Sequence, residues 1–301
     1  MLNNLVEISQ LSKDDILSIA KDAIAFKNNC KTSAVIDKSV VLMFFENSTR
    51  TKISFELAAK KLDMNVINFE ADVSSINKGE TLRDTIENLY HIGIDAAIIR
   101  TSDNNLITDL SNNTKYPIKF INAGSGNSSH PTQALLDFVT MTENLENIEN
   151  KKIVIVGDIE HSRVAKSNIA LLKKLNANIS ICAPEYFKPQ KDLSVTYYSN
   201  LQEAITDADV IMGLRIQKER IQEAYSEEEY IANYRLDSNL IAKFAPKALI
   251  MHPGPVNRDI EMTSELIDSP KGQTILAQAR NGMFTRMAIL NNLLGEKELW
   301  F

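Results

Sequence analysis

The chain has 301 residues, 44% apolar and 24% charged, ordinary proportions for a globular protein and enough length for two medium domains. Thirty-three basic against 39 acidic side chains leave a net charge of −6, which excludes the broad basic surface of a nucleic-acid-binding protein. The longest apolar run covers only residues 40–45, far short of a membrane span.

The N-terminal MLNNLVEISQLSKDD lacks a basic segment followed by an apolar core, so no secretory signal is expected. The first predicted strand is VVLMFF (40–45), and helical spacing follows it through Leu62. VINF (66–69) reads as a strand, and Thr81–Ile92 as a helix with Leu82, Ile86, Leu89 and Tyr90 on one face. Strands AAII (96–99) and PIKFI (117–121) come next. A helix over His130–Asn144 then aligns Leu135, Phe138, Val139 and Met141 or Thr142 less regularly. The polar TENLENIENKK (142–152) marks a domain boundary nearby. Beyond it lie KIVIVG (152–157), NISICA (178–183), DVIMGL (209–214) and ALIM (248–251). Strands alternating with helices predict an α/β protein of mainly parallel sheets flanked by helices. Cys30 and Cys182 fit neither a disulfide framework nor a metal site; two reduced, buried thiols in a cytoplasmic protein are expected.

Parallel sheets bind ligands beyond the carboxyl ends of their strands. There the first strand hands over to ENSTRT (46–51), which sets Ser48, Thr49, Arg50 and Thr51 at a helix start. The hydroxyls can cap that helix, and its N–H groups and dipole attract anions. Capping needs one hydroxyl, whereas three with a guanidinium fork suit a phosphate; an ordinary cap beside a surface arginine is the alternative. The GxxxxGK[ST] and GxGxxG spacings are absent. Arg100 follows AAII. NAGSGNSSHPTQALLD (122–137) delivers His130 and Gln133 to a helix start, with Pro131 in its first turn. GDIEHSRVAKS (157–167) offers Arg163, GLRIQKER (213–220) offers Arg215 and Gln217, and MHPGPVNRD (251–259) offers Gly254 between two prolines. Singly, each loop reads equally well as polar surface. Four arginines past four predicted strands of an acidic protein together suggest a pocket for anions.

ENSTRT, HPTQALLD, RIQKER and HPGPVNRD together resemble the catalytic chains of the aspartate carbamoyltransferase family, from about Leu5 to NGMFTRMAIL (281–290). STRT with HPxQ is shared by carbamoyltransferases generally; RIQKER and HPGP point to the aspartate branch. Ornithine members carry an HCLP-type cysteine loop and an SMG-type loop. This chain has histidine and HPGP at the first and no SMG.

The resemblance implies a carbamoyl phosphate-binding domain over 1–135 and 285–301 and an aspartate-binding domain over 136–284. The last helix, roughly Gln273–Leu294, would return to the first domain. The implied reaction carries the carbamoyl group of carbamoyl phosphate to L-aspartate in de novo pyrimidine biosynthesis. Ser48, Thr49, Arg50 and Thr51 would hold the phosphate. Thr51, Arg100 and His130 would polarise the carbonyl oxygen, and Gln133 would bind the carbamoyl amide. Arg163 and Arg215 would grip aspartate, with Gln217 steadying Arg215, while the backbone of Gly254 and Pro255 meets the carbamoyl group. SSINKGETLRD (74–84) resembles the loop that enters a neighbouring subunit's site with Ser74 and Lys78, implying a homotrimer. No metal or organic cofactor is implied, and regulatory chains or pathway enzymes are possible partners. Two rivals stay open: a transferase to ornithine or another amine, and a non-catalytic binding relative. Acidic groups or a thiol near 213–217 and 252–255 would favour the first, and loss of Arg50, His130 or Lys78 the second.

Overall fold

The computed structural model describes residues 2–30, 35, 37–70, 79–218 and 225–295. The chain divides into two compact units, Met1–Leu135 with Asn281–Phe301, and Leu136–Arg280. The division falls inside a helix, ahead of the polar segment 142–152 at which the sequence pattern changes. No helix among the described residues is long and apolar enough to cross a membrane.

The first unit runs α1 (Lys13–Lys27), β1 (Ser39–Phe44), α2 (Thr49–Lys61), β2 (Asn65–Phe69), α3 (Leu82–Ile92), β3 (Ala96–Thr101), α4 (Leu106–Asn113), β4 (Lys119–Ser125) and α5 (Pro131–Thr142). Its four strands pair in parallel in the order β2-β1-β3-β4. Val40 to Met43 are all fully buried although successive side chains point to opposite faces, so both faces of β1 are covered. On one face Val41, Met43, Ala97, Ile99 and Phe120 meet Ile86 of α3 and Ile107 of α4, and Leu82, Leu89 and Tyr90 of α3 lie partly buried against them. Helix α3 begins where the Thr81 hydroxyl accepts from Asp84 N–H and ends at Gly93, whose φ of 110° suits glycine. Helix α5 departs from its expected one-sided pattern, with residues 131–141 all buried.

The second unit runs β5 (Lys152–Val156), α6 (Arg163–Lys174), β6 (Asn178–Cys182), β7 (Thr196–Tyr198), α7 (Leu201–Ile205), β8 (Val210–Gly213), α8 (Glu227–Tyr234), α9 (Ser238–Phe244), β9 (Leu249–Met251), α10 (Ser264–Asp268) and α11 (Gln273–Leu294). Its parallel order is β7-β6-β5-β8-β9. The sequence reading lacked β7, a three-residue edge strand.

Helix α11 starts in the second unit and its residues from Asn281 onward belong to the first. There Asn281 Oδ1 accepts from Lys27 Nζ at 2.8 Å and Asn292 Nδ2 donates to Asp22 at 3.0 Å, so α11 lies antiparallel to α1. The Arg286 guanidinium sits 4.9 Å over the Phe55 ring of α2.

Each sheet pins the amino end of its two central strands alike. Asp95, just ahead of β3, accepts from Ser39 N–H at 2.8 Å and from Lys38 Nζ at 3.0 Å. Asp209, just ahead of β8, accepts from Lys152 N–H at 2.9 Å and Lys151 Nζ at 3.1 Å. Of the cysteines, Cys182 is buried but Cys30 is exposed, contrary to expectation. Cys30 lies past the end of α1, where Asn29 turns the backbone to a φ of 53° and carries the chain off the helix's buried face.

Candidate active site

In both sheets the strand order reverses direction once. From β1 the chain moves outward to β2 and then crosses to β3; from β5 it moves through β6 to β7 and then crosses to β8. Loops diverge at the carboxyl ends of such a pair and leave a crevice. Arg50 and Arg100 follow or end the strands β1 and β3, and Arg163 and Arg215 follow β5 and β8. Each reversal therefore carries two arginines.

In the first unit, Ser48 opens α2, Thr49 and Arg50 are exposed and Thr51 is buried. The alternative of an ordinary cap at Ser48 is not what forms: its hydroxyl makes no cap hydrogen bond. Its φ of −160° differs from the −74° and −93° of Thr81 and Ser162, which do cap their helices. Arg100 is the penultimate residue of β3 rather than lying past it, paired with Phe44 across the ladder. Its Nε stands 3.4 Å from Glu46 Oε2 and its Nη1 donates to the Ala123 carbonyl at 3.4 Å, which spans the ends of β1 and β4. His130 immediately precedes α5, and its carbonyl accepts from Gln133 and Ala134 N–H; both His130 and Gln133 side chains are buried. The intervening loop is held by Gly126 N–H on the Thr101 carbonyl at 2.9 Å. A Cβ at Gly126, where φ is 41°, would fall 2.1 Å from Asn104 Oδ1, so this turn requires glycine. Ser74 and Lys78 lie outside the described residues.

In the second unit, Arg163 is the first residue of α6, 8% exposed, behind a Ser162 hydroxyl that accepts from Ala165 N–H. Arg215 and Gln217 follow β8. Fully buried Asp158 joins these loops: Oδ1 lies 2.8 Å from His161 Nδ1, and Oδ2 accepts from Gln217 N–H at 3.3 Å. Gln217 Nε2 donates in turn to the His161 carbonyl at 2.8 Å. Gly157 allows the close approach, since a Cβ there would meet the Leu214 carbonyl at 3.0 Å. Buried Glu261 ties the Arg215 loop to the segment after β9. It accepts from Ile216 N–H at 2.8 Å, Asn257 N–H at 2.7 Å and Asn257 Nδ2 at 2.6 Å. Gly254, with a φ of 62°, precedes Pro255 on that segment.

The arginines are legible in the sequence; the acids that brace their loops are not. Asp158 and Glu261 stand within GDIEHSR and just past VNRD, each beside a second acid (Glu160, Asp259), so the local sequence carries no signal that singles them out. Burial pushes the Glu261 carboxyl up to about 7, and the hydrogen bonds from Ile216 and Asn257 pull it partway back. A carboxyl raised on folding holds its proton while the unfolded chain releases it. Its contribution is full below the unfolded value and is lost as pH rises to about 7. The expected outcome is that wild type loses thermal stability between about pH 5 and 7 relative to Glu261→Gln, which cannot titrate there. Parallel pH dependences of the two melting curves would contradict this.

The described geometry agrees with known relatives. Residues 3–143 match the family model "Aspartate/ornithine carbamoyltransferase, carbamoyl-P binding domain" and residues 149–293 its "Asp/Orn binding domain". A protein named aspartate carbamoyltransferase catalytic subunit from Flavobacterium psychrophilum is 44% identical over 96% of each chain. One of the same name from Streptococcus mutans is 40% identical over 98% of this chain and 97% of its own. Among solved structures, aspartate transcarbamoylase from Trypanosoma cruzi in complex with carbamoyl phosphate and aspartate superposes with a TM-score of 0.85 at 29% identity, covering 96% of each chain. Ornithine carbamoyltransferase from Pyrococcus furiosus reaches 0.86 at 27% identity, covering 99% of this chain and 98% of its own. Backbone likeness is thus common to both branches, and on the full-length family match the chain belongs to the aspartate/ornithine carbamoyltransferases.

Proposed function

We propose that the chain is an aspartate carbamoyltransferase, moving the carbamoyl group of carbamoyl phosphate to the amine of L-aspartate and releasing N-carbamoyl-L-aspartate and phosphate, a step of pyrimidine biosynthesis. The observation that carries the aspartate assignment is the loop after β8. It carries Arg215 with Gln217, and the two acids that meet it, Asp158 and Glu261, are buried and accept from the loop's own backbone N–H groups, whereas a basic amine substrate would need acidic or thiol groups facing it. The relatives at 40–44% identity bear the matching name.

In this reading residues 1–135 and 285–301 bind carbamoyl phosphate and 136–284 bind aspartate. Ser48, Thr49, Arg50 and Thr51 hold the phosphate, supported by the α2 N-terminus and a Ser48 hydroxyl not used as a cap. Thr51, Arg100 and His130 donate to the carbamoyl carbonyl oxygen, and Gln133 binds the carbamoyl amide. Arg163 and Arg215 take the two carboxylates of aspartate, while the backbone at Gly254 and Pro255 meets the carbamoyl group and the attacking amine. The neutral amine's lone pair forms the new C–N bond, charge gathers on the carbonyl oxygen, and the C–O bond to phosphate breaks as it reforms. Phosphate leaves with the amine's proton. Rate enhancement then comes from placing two anions and from donors aimed at the developing charge, with no covalent enzyme intermediate.

The assembly assigned is a homotrimer in which Ser74 and Lys78 complete a neighbour's site. Its support is an apolar surface beside Arg50: Ile53 and Leu57 of α2 are 58% and 43% exposed and Ile67 on the edge strand β2 is 40% exposed. The unpaired Cys30 and Cys182 accord with the reducing cytoplasm.

Steady-state kinetics with aspartate and ornithine side by side test the substrate. Wild type should carbamoylate aspartate and leave ornithine nearly untouched. Arg215→Ala should lose on the order of a hundredfold or more in kcat/KM for aspartate with carbamoyl phosphate affinity nearly unchanged, the cost of a bidentate charge-assisted contact. Ornithine turnover exceeding aspartate turnover would overturn the assignment. For the assembly, Lys78→Ala and His130→Ala should each be nearly inactive alone, yet regain activity when dissociated and reassembled together. Mixtures as inactive as their parents would show that Lys78 serves no neighbouring site.

A further inference from the structure

The second unit contains a buried polar relay that none of the assigned roles uses. Asp137 of α5, Asn168 of α6, Gln278 of α11 and His252 just past β9 are each 2% exposed or less. Asp137 Oδ2 accepts from Asn168 Nδ2 at 2.9 Å and Oδ1 from Gln278 Nε2 at 2.8 Å. Because the carboxylate takes the NH2 side of the Gln278 amide, the amide oxygen is turned the other way, where it accepts from His252 N–H at 2.9 Å. The His252 ring then accepts through Nδ1 from Gly254 N–H at 2.9 Å. A ring nitrogen that accepts an N–H carries no proton of its own, so His252 is neutral with its proton on Nε2. Its side chain thereby closes a local turn on the peptide two residues ahead, as an Asx side chain does. Gly254 sits at a φ of 62°, a conformation that glycine adopts without a Cβ penalty and that its backbone leaves easily unless held.

We propose that His252 is a positioning residue for the transfer step: through Nδ1 it fixes the Gly254 peptide, and Asp137 acting through Gln278 fixes His252. The inference rests on the functional reading above, in which the Gly254 and Pro255 backbone meets the carbamoyl group and the attacking amine. Misaiming one backbone carbonyl by a fraction of an ångström leaves ligands bound and slows the chemistry, because near-attack geometry is what the site supplies. The relay is buried and directional. Each member has one acceptor or donor side committed to the next, so an altered link cannot be replaced by water without opening the core.

The test compares three substitutions of His252 in the full chain. Asparagine places an amide oxygen near the position of Nδ1 and can still accept from Gly254 N–H, whereas glutamine places its amide near Nε2 and cannot; alanine removes both. The wild type is measured first, because failure to carbamoylate aspartate would overturn the functional reading and this inference with it. Given wild-type turnover, His252→Gln and His252→Ala should lower kcat on the order of tenfold or more while KM for aspartate moves by less than about threefold. His252→Asn should retain kcat within about threefold of wild type at a similar melting temperature. Asp137→Asn, which frees the Gln278 amide to flip, should lower kcat in the same manner. Equal kcat in His252→Asn and His252→Gln, or wild-type kcat in His252→Ala, would overturn the proposal while leaving the aspartate assignment standing. Should the alanine variant fail to fold, the asparagine and glutamine pair decides alone, and losses that simply track melting temperature across that pair would also overturn it.

Discussion

The constraint on which the rest depends is the reversal of strand order in each parallel sheet. A right-handed crossover from a central strand must go to one side or the other. Where successive crossovers leave β1 for β2 and then pass to β3, or leave β5 for β6 and β7 and then pass to β8, the loops at the carboxyl ends part. Backbone N–H groups and helix N-termini face that gap without covering each other, and an arginine arriving from either side has room to extend. The reversal has to be rigid to be useful. Asp95 and Asp209 supply this from the opposite end, each closing the amino terminus of the central pair with a backbone hydrogen bond and a lysine contact. Both sheets use the same device although their sequences share no visible repeat.

Charge is divided by depth. The chain carries more acids than bases, but the acids that matter to the site are buried braces. Asp158, Glu261 and Asp137 are each 1% exposed or less and accept from loop backbone or amide donors. Removing one partner from such a group costs about 1–3 kcal/mol of unmet desolvation, so the loops holding Arg163, Arg215 and Gly254 are expensive to displace. In the proposed function the arginines of those loops take the ligand anions. One carboxylate departs from this division. Glu46 lies 3.4 Å from Arg100, where it orients the guanidinium across β1, β3 and β4.

Strands announced themselves in the sequence where a short apolar run ended in a polar or glycine-bearing loop, because a strand covered on both faces has no polar side to show. VVLMFF and KIVIVG are the clear cases, and β7 escaped because TYY is three residues long, only partly buried and at an edge. The site arginines were legible because each follows such a run. The braces were not, for a physical reason: Asp158 meets Gln217 and Glu261 meets Ile216 across dozens of residues of intervening chain, and a buried acid looks like a surface acid until its donors are known. Likewise the hydroxyls of ENSTRT left an ordinary cap open beside a phosphate site, and only the missing cap hydrogen bond at Ser48 set that alternative aside. Cys30 read as core because free cysteine usually is, but one turn past a helix end it faces water.

The central claim is that the arginine pair of the first sheet takes one anion and the pair of the second takes another in a single reaction. The most direct measurement is calorimetric titration of the protein with a bisubstrate mimic joining a phosphonate to aspartate, beside titrations with the phosphonate fragment and with aspartate alone. The account predicts that the joined molecule binds orders of magnitude more tightly than either fragment, since one ligand collects both sets of contacts and loses its translational freedom once. An affinity no better than that of the stronger fragment would contradict it.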